Sequence, residues 1–366
     1  MRVTLTDVLQ VVHFKSRFYV GWMLWATSVL LVVFALQGPA QNPADSTTFS
    51  TDVRVVNLLA VVKDRSGRLR NDLTKNDFQL MVDGRPQAIS YFSRQTNLPL
   101  TLGLLVDTSA SMLRMFDAER TASTRFLKQV LRNPGDRAFL VRFDWDVKLL
   151  QPPTSSRRRL QSGLGVLDSQ TWFQRQMEER RDATPGGKRA STTLYDAIAQ
   201  SATLYMKGQA GRKAIILLSD GVDDGSASSL NDAIGAALRS DTLVYSIHVF
   251  KAYPDGVETQ STRLSSPAVS PEEQRRKSAV EFGKQVLIRL SQETGGGFFE
   301  MTDPRATGSI FAQIEDELRS QYNLGFTPTP ASSSPGVHTI GLTTTVSGAT
   351  VQTKNSYFIE EAVHNR

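Results

Sequence analysis

The hydrophobic positions of this chain fall into two rhythms. Between residues 98 and 321, runs that are apolar on both faces alternate with stretches whose apolar residues recur every three or four positions. The runs are "LTLGLLV" (100–106), "RAFLVRF" (137–143), "KAIILLS" (213–219), "TLVYSIHV" (242–249) and "GFFEM" (297–301). They predict strands covered by helices on both sides, as parallel strands are. Met115, Ala118, Ala122, Phe126 and Val130 mark one helical face, which "NPG" (133–135) ends. Leu194, Ile198, Ala202 and Tyr205 mark a second, ended by Gly208. Ile310, Ile314 and Leu318 mark a third, introduced by Asp303 and Pro304 as cap and first-turn proline. Alternation of this kind predicts an α/β fold: a doubly wound, mostly parallel sheet with helices on both faces.

The flanks read differently. In 49–93, "FSTDVRVVNLLAVVKD" predicts a strand pair, "RSGR" a turn, and "FQLMVDGRPQAISYF" a hairpin around Asp83-Gly84. After 321, "QYNLGFTPT", "HTIGLTTTV" and "NSYFIE" return to β character around a Ser347-Gly348 turn. Neither flank is long enough to bury much surface alone. We therefore expect the two ends of the chain to form one small β-sandwich. The resulting division is 41–97, an N-terminal β segment; 98–321, the α/β unit; and 322–366, a C-terminal β segment packed with the first. Residues 151–190, rich in arginine and polar side chains, and 251–278, rich in Ser, Pro and charge, are longer than ordinary connections and read as loops. The arginines 157–159 read as part of a solvated loop.

Residues 1–40 change the picture. "FYVGWMLWATSVLLVVFAL" (18–36) holds 19 residues without a charge, preceded by Lys15 and Arg17. This is a signal peptide, cleaved after Ala40, or a transmembrane anchor that stays. In both cases the basic flank places the rest of the chain outside the cytoplasm, in the periplasm, the cell envelope or the medium.

Composition removes several function classes. The 366 residues are 40% hydrophobic and 21% charged, which is globular, and include no cysteine. That excludes disulfides, thiolate metal sites and thiol nucleophiles. The net charge is +6; three cations against one acid in residues 1–40 leave +4 for the rest. With no basic helix interleaved with aromatics, this does not predict a nucleic-acid partner.

Candidate chemistry gathers where strands end. Ligands of open α/β sheets bind beyond the carboxyl ends of the strands. "LLVDTSASM" (104–112) ends a strand in Asp107 and then places Ser109 and Ser111 at alternate positions. "SDGVDD" (219–224) puts Asp220 at the end of another strand, and "ASTTLYDAI" (190–198) opens a helix with Thr192 and Thr193. These are hard oxygen donors, suited to Mg²⁺, Mn²⁺ or Ca²⁺ and poorly suited to zinc or copper. Asp223 and Asp224 read as solvated turn residues, Asp144 and Asp146 as loop surface, and His248 as a core histidine.

"DTSAS", "TTLYDAI" and "IILLSDGVDD" resemble, in order and spacing, the three metal-site loops of von Willebrand factor type A domains, over about 98–321. The stretch "LLAVVKDRSGRLRNDLTKNDFQLMVDGRPQAISYFSR" resembles the N-terminal part of exported proteins of this type from Acidobacteria. The resemblance implies a Rossmann-like fold and a metal-ion-dependent adhesion site that binds a partner protein. Carried over by position, it implies Ser109, Ser111 and Thr192 as direct metal ligands, with Asp107 and Asp220 acting directly or through water. It implies Mg²⁺ first, with Mn²⁺ or Ca²⁺ as alternatives. The family's usual glycine before the threonine is Ser191 here, which keeps Thr193 as a second candidate.

Enzymatic readings lack their parts. An aspartyl phosphotransferase on a similar sheet wants a second acid at position 109; a serine hydrolase wants a G-x-S-x-G elbow; no phosphate-binding loop is present. Metal-dependent hydrolysis would need a general base that the sequence does not offer. The expectation is a non-enzymatic, divalent-cation-dependent, adhesion-type module, whose cation completes its shell with a carboxylate of a partner protein. Residues 18–36 contact the membrane if they are retained. The alternative is an envelope scaffold in which the metal is structural.

Overall fold

The computed structural model describes residues 55–94, 98–109, 112, 123–127, 130–167, 192–249, 271–303, 306–329 and 332–359. The apolar run 18–36 and Ser111 lie outside these. No helix among the described residues is long and apolar enough to cross a membrane.

Six strands form the central sheet: β5 (Leu100–Asp107), β6 (Arg137–Phe143), β7 (Val147–Thr154), β8 (Arg212–Ser219), β9 (Thr242–Val249) and β10 (Phe298–Met301), in the order β10-β9-β8-β5-β6-β7. All neighbours are parallel except β6 and β7. In β5 and β9 every residue is buried, as the two-faced apolar runs require. Helices α1 (Arg157–Gly165), α2 (Leu194–Gln200), α3 (Leu230–Arg239), α4 (Pro271–Thr294) and α5 (Thr307–Arg319) complete the layers. One face of the sheet packs on Phe126, Leu160, Phe311 and Ile314; the other packs on Leu194, Ile234, Val286 and Leu287.

Both ends of the chain build two further antiparallel sheets. One has the order β13-β1-β11-β4, from β1 (Val56–Lys63), β4 (Tyr91–Ser93), β11 (Tyr322–Phe326) and β13 (Thr350–Gln352). The other has the order β14-β12-β2-β3, from β2 (Phe78–Val82), β3 (Arg85–Gln87), β12 (Gly336–Thr344) and β14 (Ser356–Ile359). A single apolar cluster, including Leu58 and Tyr322 of the first sheet and Leu80 and Ile340 of the second, makes them a sandwich. The turn at Asp83 and Gly84 joins β2 to β3 with φ of 49° and 73°, the left-handed pair of a tight hairpin.

The structure corrects several expectations. The described part of 49–64 is the single strand β1, which pairs with β11 and β13 rather than with itself. Residues 151–167 are not one loop. The strand β7 runs to Thr154 through Pro152 and Pro153, which its position at the sheet edge tolerates. Arg157, Arg158 and Arg159 open helix α1, capped by Ser156, and Arg157 donates to the Leu131 carbonyl at 2.5 Å. Residues 271–278 belong to α4.

Candidate functional site

Asp107 is the last residue of the central strand β5 and has no exposed surface. Its Oδ1 accepts the Ser109 amide at 2.9 Å and its Oδ2 accepts the Ser219 hydroxyl at 2.7 Å. Val106 lies opposite Leu218 in the parallel pairing of β5 with β8, so Asp220 follows at the neighbouring strand end. Burial, and then the charge of Asp220, push the Asp107 carboxyl up to about 7; the two bonds from Ser109 and the one from Ser219 work against this. Asp220 is half-buried and turns its Oδ1 back to the Val222 amide at 3.1 Å.

The third loop arrives through Thr192 and Thr193, both buried. The Thr193 hydroxyl and amide both donate to the Asp144 carbonyl, at 2.9 and 2.7 Å. The Thr192 hydroxyl makes no such bond to any described residue. Of the two threonines, Thr193 is the one whose hydroxyl is committed to Asp144. The described residues thus bring Asp107, Ser109, Thr192 and Asp220 to the carboxyl edge of one sheet.

Three side chains read as solvent-facing are in fact fasteners, and a fourth shares an arginine with one of them. Asp224 accepts the Thr192 amide at 2.5 Å, and the Thr192 carbonyl accepts the amides of Asp224 and Gly225. Asp223 accepts the Tyr195 amide at 3.0 Å, and the Ser226 hydroxyl accepts the Asp196 amide at 3.1 Å. Those two amides belong to the first turn of α2, whose donors lack partners inside the helix. Asp144 is 4% exposed; its carboxylate accepts the Thr108 hydroxyl and one Arg142 Nη1–H, each at 2.7 Å. Asp146 takes the same Arg142 nitrogen at 2.5 Å. His248 is buried on β9, opposite Ser219, and burial pushes its imidazole down.

Among the described residues there is no group of three or more His, Cys, Asp or Glu side chains gathered around one point. The site is of another kind, two carboxylates with hydroxyl oxygens. A hard divalent cation fits it: two adjacent carboxylates, one fully withdrawn from water, resist ionising together unless a positive charge joins them.

A doubly wound sheet with these three loops defines a von Willebrand factor type A domain, and residues 102–222 match the model of that domain. The chain therefore carries a type A domain flanked by a sandwich made from both ends. The fold is similar in outline to several solved structures. BatB from Bacteroides thetaiotaomicron is 17% identical, covering 60% of this chain and 98% of that one, with a TM-score of 0.38. The pilus adhesin SpaC from Lactobacillus rhamnosus GG is 12% identical, covering 78% and 41%, with a TM-score of 0.42. Proximal thread matrix protein 1 of the mussel byssus, with a zinc-occupied MIDAS motif, is 11% identical, covering 62% and 49%, with a TM-score of 0.39. At these scores the likeness says nothing about function. No curated protein sequence matches the chain.

Proposed function

We propose that the type A domain binds a divalent cation, Mg²⁺ before Mn²⁺ or Ca²⁺, through Asp107, Ser109, Ser111, Thr192 and Asp220. Through that cation it holds a carboxylate of a partner protein outside the cytoplasmic membrane. The observation that carries this reading is the fully buried Asp107 carboxylate at the end of β5, next to the strand end that carries Asp220, where burial disfavours a negative charge that nothing positive balances. When bound, the cation supplies a positive charge that the neutral hydroxyls of Ser109 and Thr192 leave partly uncompensated, so an outside anion is attracted. Asp107 is held for this role by Ser219 and by the Ser109 amide, and Thr192 by Asp224. The role is recognition, not catalysis.

The hydrogen bonds among the loops favour this over a purely structural metal. Asp224, Asp223 and Asp144 tie the threonine loop to its neighbours through hydrogen bonds that do not involve a cation. The test is calorimetric titration of the full chain with Mg²⁺, Mn²⁺ and Ca²⁺, beside Asp107→Ala. Saturable binding lost in a variant with unchanged circular dichroism supports the reading. No heat at millimolar metal sinks it.

A further inference from the structure

Trp145 stands 43% exposed on the turn between β6 and β7, yet the backbone that carries it is fixed from several sides. Asp144, the residue before it, holds the Thr108 hydroxyl with its carboxylate and the Thr193 amide and hydroxyl with its carbonyl. Thr108 follows Asp107, and Thr193 follows Thr192. Two of the three candidate ligand loops are therefore hydrogen-bonded to the residue adjoining this indole. Asp146, on its other side, shares Arg142 with Asp144, and the Asp144 amide donates to the Asp146 carbonyl at 3.1 Å.

A large apolar ring is thus presented to water on a turn that folding has already ordered. An aromatic side chain offers on the order of 150–250 Å² for burial. It loses little further backbone freedom when a partner covers it, which is why rigid aromatics concentrate binding energy at interfaces. Isolated exposed apolar residues are common and by themselves mean nothing. What sets Trp145 apart is its place next to Asp144, which is hydrogen-bonded to Thr108 and Thr193, the residues that follow Asp107 and Thr192.

Resting on the metal-dependent reading above, we propose that Trp145 sets the specificity of the site: it selects an acidic residue flanked by aliphatic side chains, one of which lies against the indole. The cation and its two carboxylates choose the charge of the partner residue. Trp145 chooses its neighbours. A carboxylate flanked by glycine is held by charge alone.

Two fluorescein-labelled peptides, Gly-Leu-Glu-Leu-Gly and Gly-Gly-Glu-Gly-Gly, separate these contributions by anisotropy with the full chain in saturating Mg²⁺. Covering part of a leucine and of the indole at about 25 cal/mol per Å² predicts about tenfold tighter binding of the leucine peptide. Trp145→Ala should bring the two peptides within about twofold, and Trp145→Phe should keep at least about threefold, as a smaller ring still offers apolar area. Calorimetric Mg²⁺ binding should be the same in all three proteins. An unchanged preference in Trp145→Ala, with Mg²⁺ still bound, overturns this proposal and leaves the metal reading standing. So does Mg²⁺ binding with neither peptide bound. Failure of the unaltered chain to bind Mg²⁺ overturns the metal reading, and this proposal falls with it.

Discussion

Ser219 donates its hydroxyl to Asp107 Oδ2 across 2.7 Å, and neither residue has any surface in contact with water. The same Ser219 oxygen accepts the Gly221 amide at 3.0 Å. One hydroxyl thereby links the central strand end to the loop that carries Asp220. Ser219→Ala removes a donor from a buried carboxylate and an acceptor from a buried amide. The expected cost is about 2–4 kcal/mol, from two buried groups each losing a partner. Urea denaturation of the two proteins measures it; a loss under about 0.5 kcal/mol would mean that water replaces the hydroxyl, so that the link is not a structural one.

Gly221 and Gly283 meet backbone to backbone where the Asp220 loop touches α4. A Cβ on Gly221 would stand 2.2 Å from the Gly283 carbonyl oxygen, and Gly221 also has φ of +82°. A Cβ on Gly283 would stand 2.2 Å from the Asp220 carbonyl oxygen. Gly221→Ala combines the clash with left-handed strain, and Gly283→Ala carries the clash alone. Gly221→Ala is expected to cost about 3 kcal/mol or more and to weaken cation binding with it, by displacing Asp220. Equal stability of both variants with the unaltered chain, in thermal melts, would contradict the contact.

How much of this was legible in the sequence depends on how far each contact reaches along the chain. The predicted runs 100–106, 137–143, 213–219, 242–249 and 297–301 differ from the observed strands by no more than one residue at either end; for the first four, burial on both faces leaves a nearly continuous apolar record, whereas 297–301 is only partly buried. The edge strand β7 left no such record: "VKLLQPPT" is half-exposed and contains two prolines. Helix α1 begins with three arginines that reach outward and back to a carbonyl, a pattern that composition alone reads as loop. The fastening acids were missed for a different reason. Asp144 bonds to residues 36 and 49 positions away, and Asp224 to one 32 positions away, so nothing in their local sequence distinguishes them from turn residues.

His338 gives the sandwich a pH dependence of definite sign. Its Nδ1 lies 2.8 Å from Asp83 Oδ2 and its Nε2 lies 2.8 Å from the Ser334 carbonyl. Only the imidazolium can donate to both. The Ser334 carbonyl first, and then the Asp83 carboxylate, raise this imidazole above its usual 6.5; the same bond holds Asp83 below the ordinary carboxylate range. A raised histidine contributes stability that is complete below about 6.5 and is lost as pH climbs through the folded value. A depressed Asp contributes above about 3.9 and loses that contribution as pH falls. The pair therefore stabilises most between these limits. The melting temperature should decline from pH 6 to pH 8, and His338→Gln should flatten that decline. A steeper slope in the variant would reverse the assignment.

Glu317 is the buried acid that joins the type A domain to the sandwich. It has no exposure on α5, and its Oε1 lies 2.7 Å from Lys63 Nζ of β1. Gln352 of β13 donates to its Oε2 at 3.2 Å and accepts from Lys63 Nζ at 3.2 Å. Lys63→Met leaves a carboxylate stranded in a site from which water is excluded, and stranding one member of a buried pair costs about 3–5 kcal/mol. Glu317→Gln removes the charge and keeps one acceptor oxygen where Lys63 and Gln352 each use a separate one, so one of the two contacts is lost; with Lys63 partly exposed to water, the cost should be smaller, about 1–2 kcal/mol. The order of the two variants is the informative quantity in equilibrium urea unfolding. Lys63→Met far below Glu317→Gln means that the junction is held by neutralisation of a buried charge. The reverse order would mean that the amide fails to satisfy its partners, and that geometry rather than charge governs how the last helix is fixed to the sandwich.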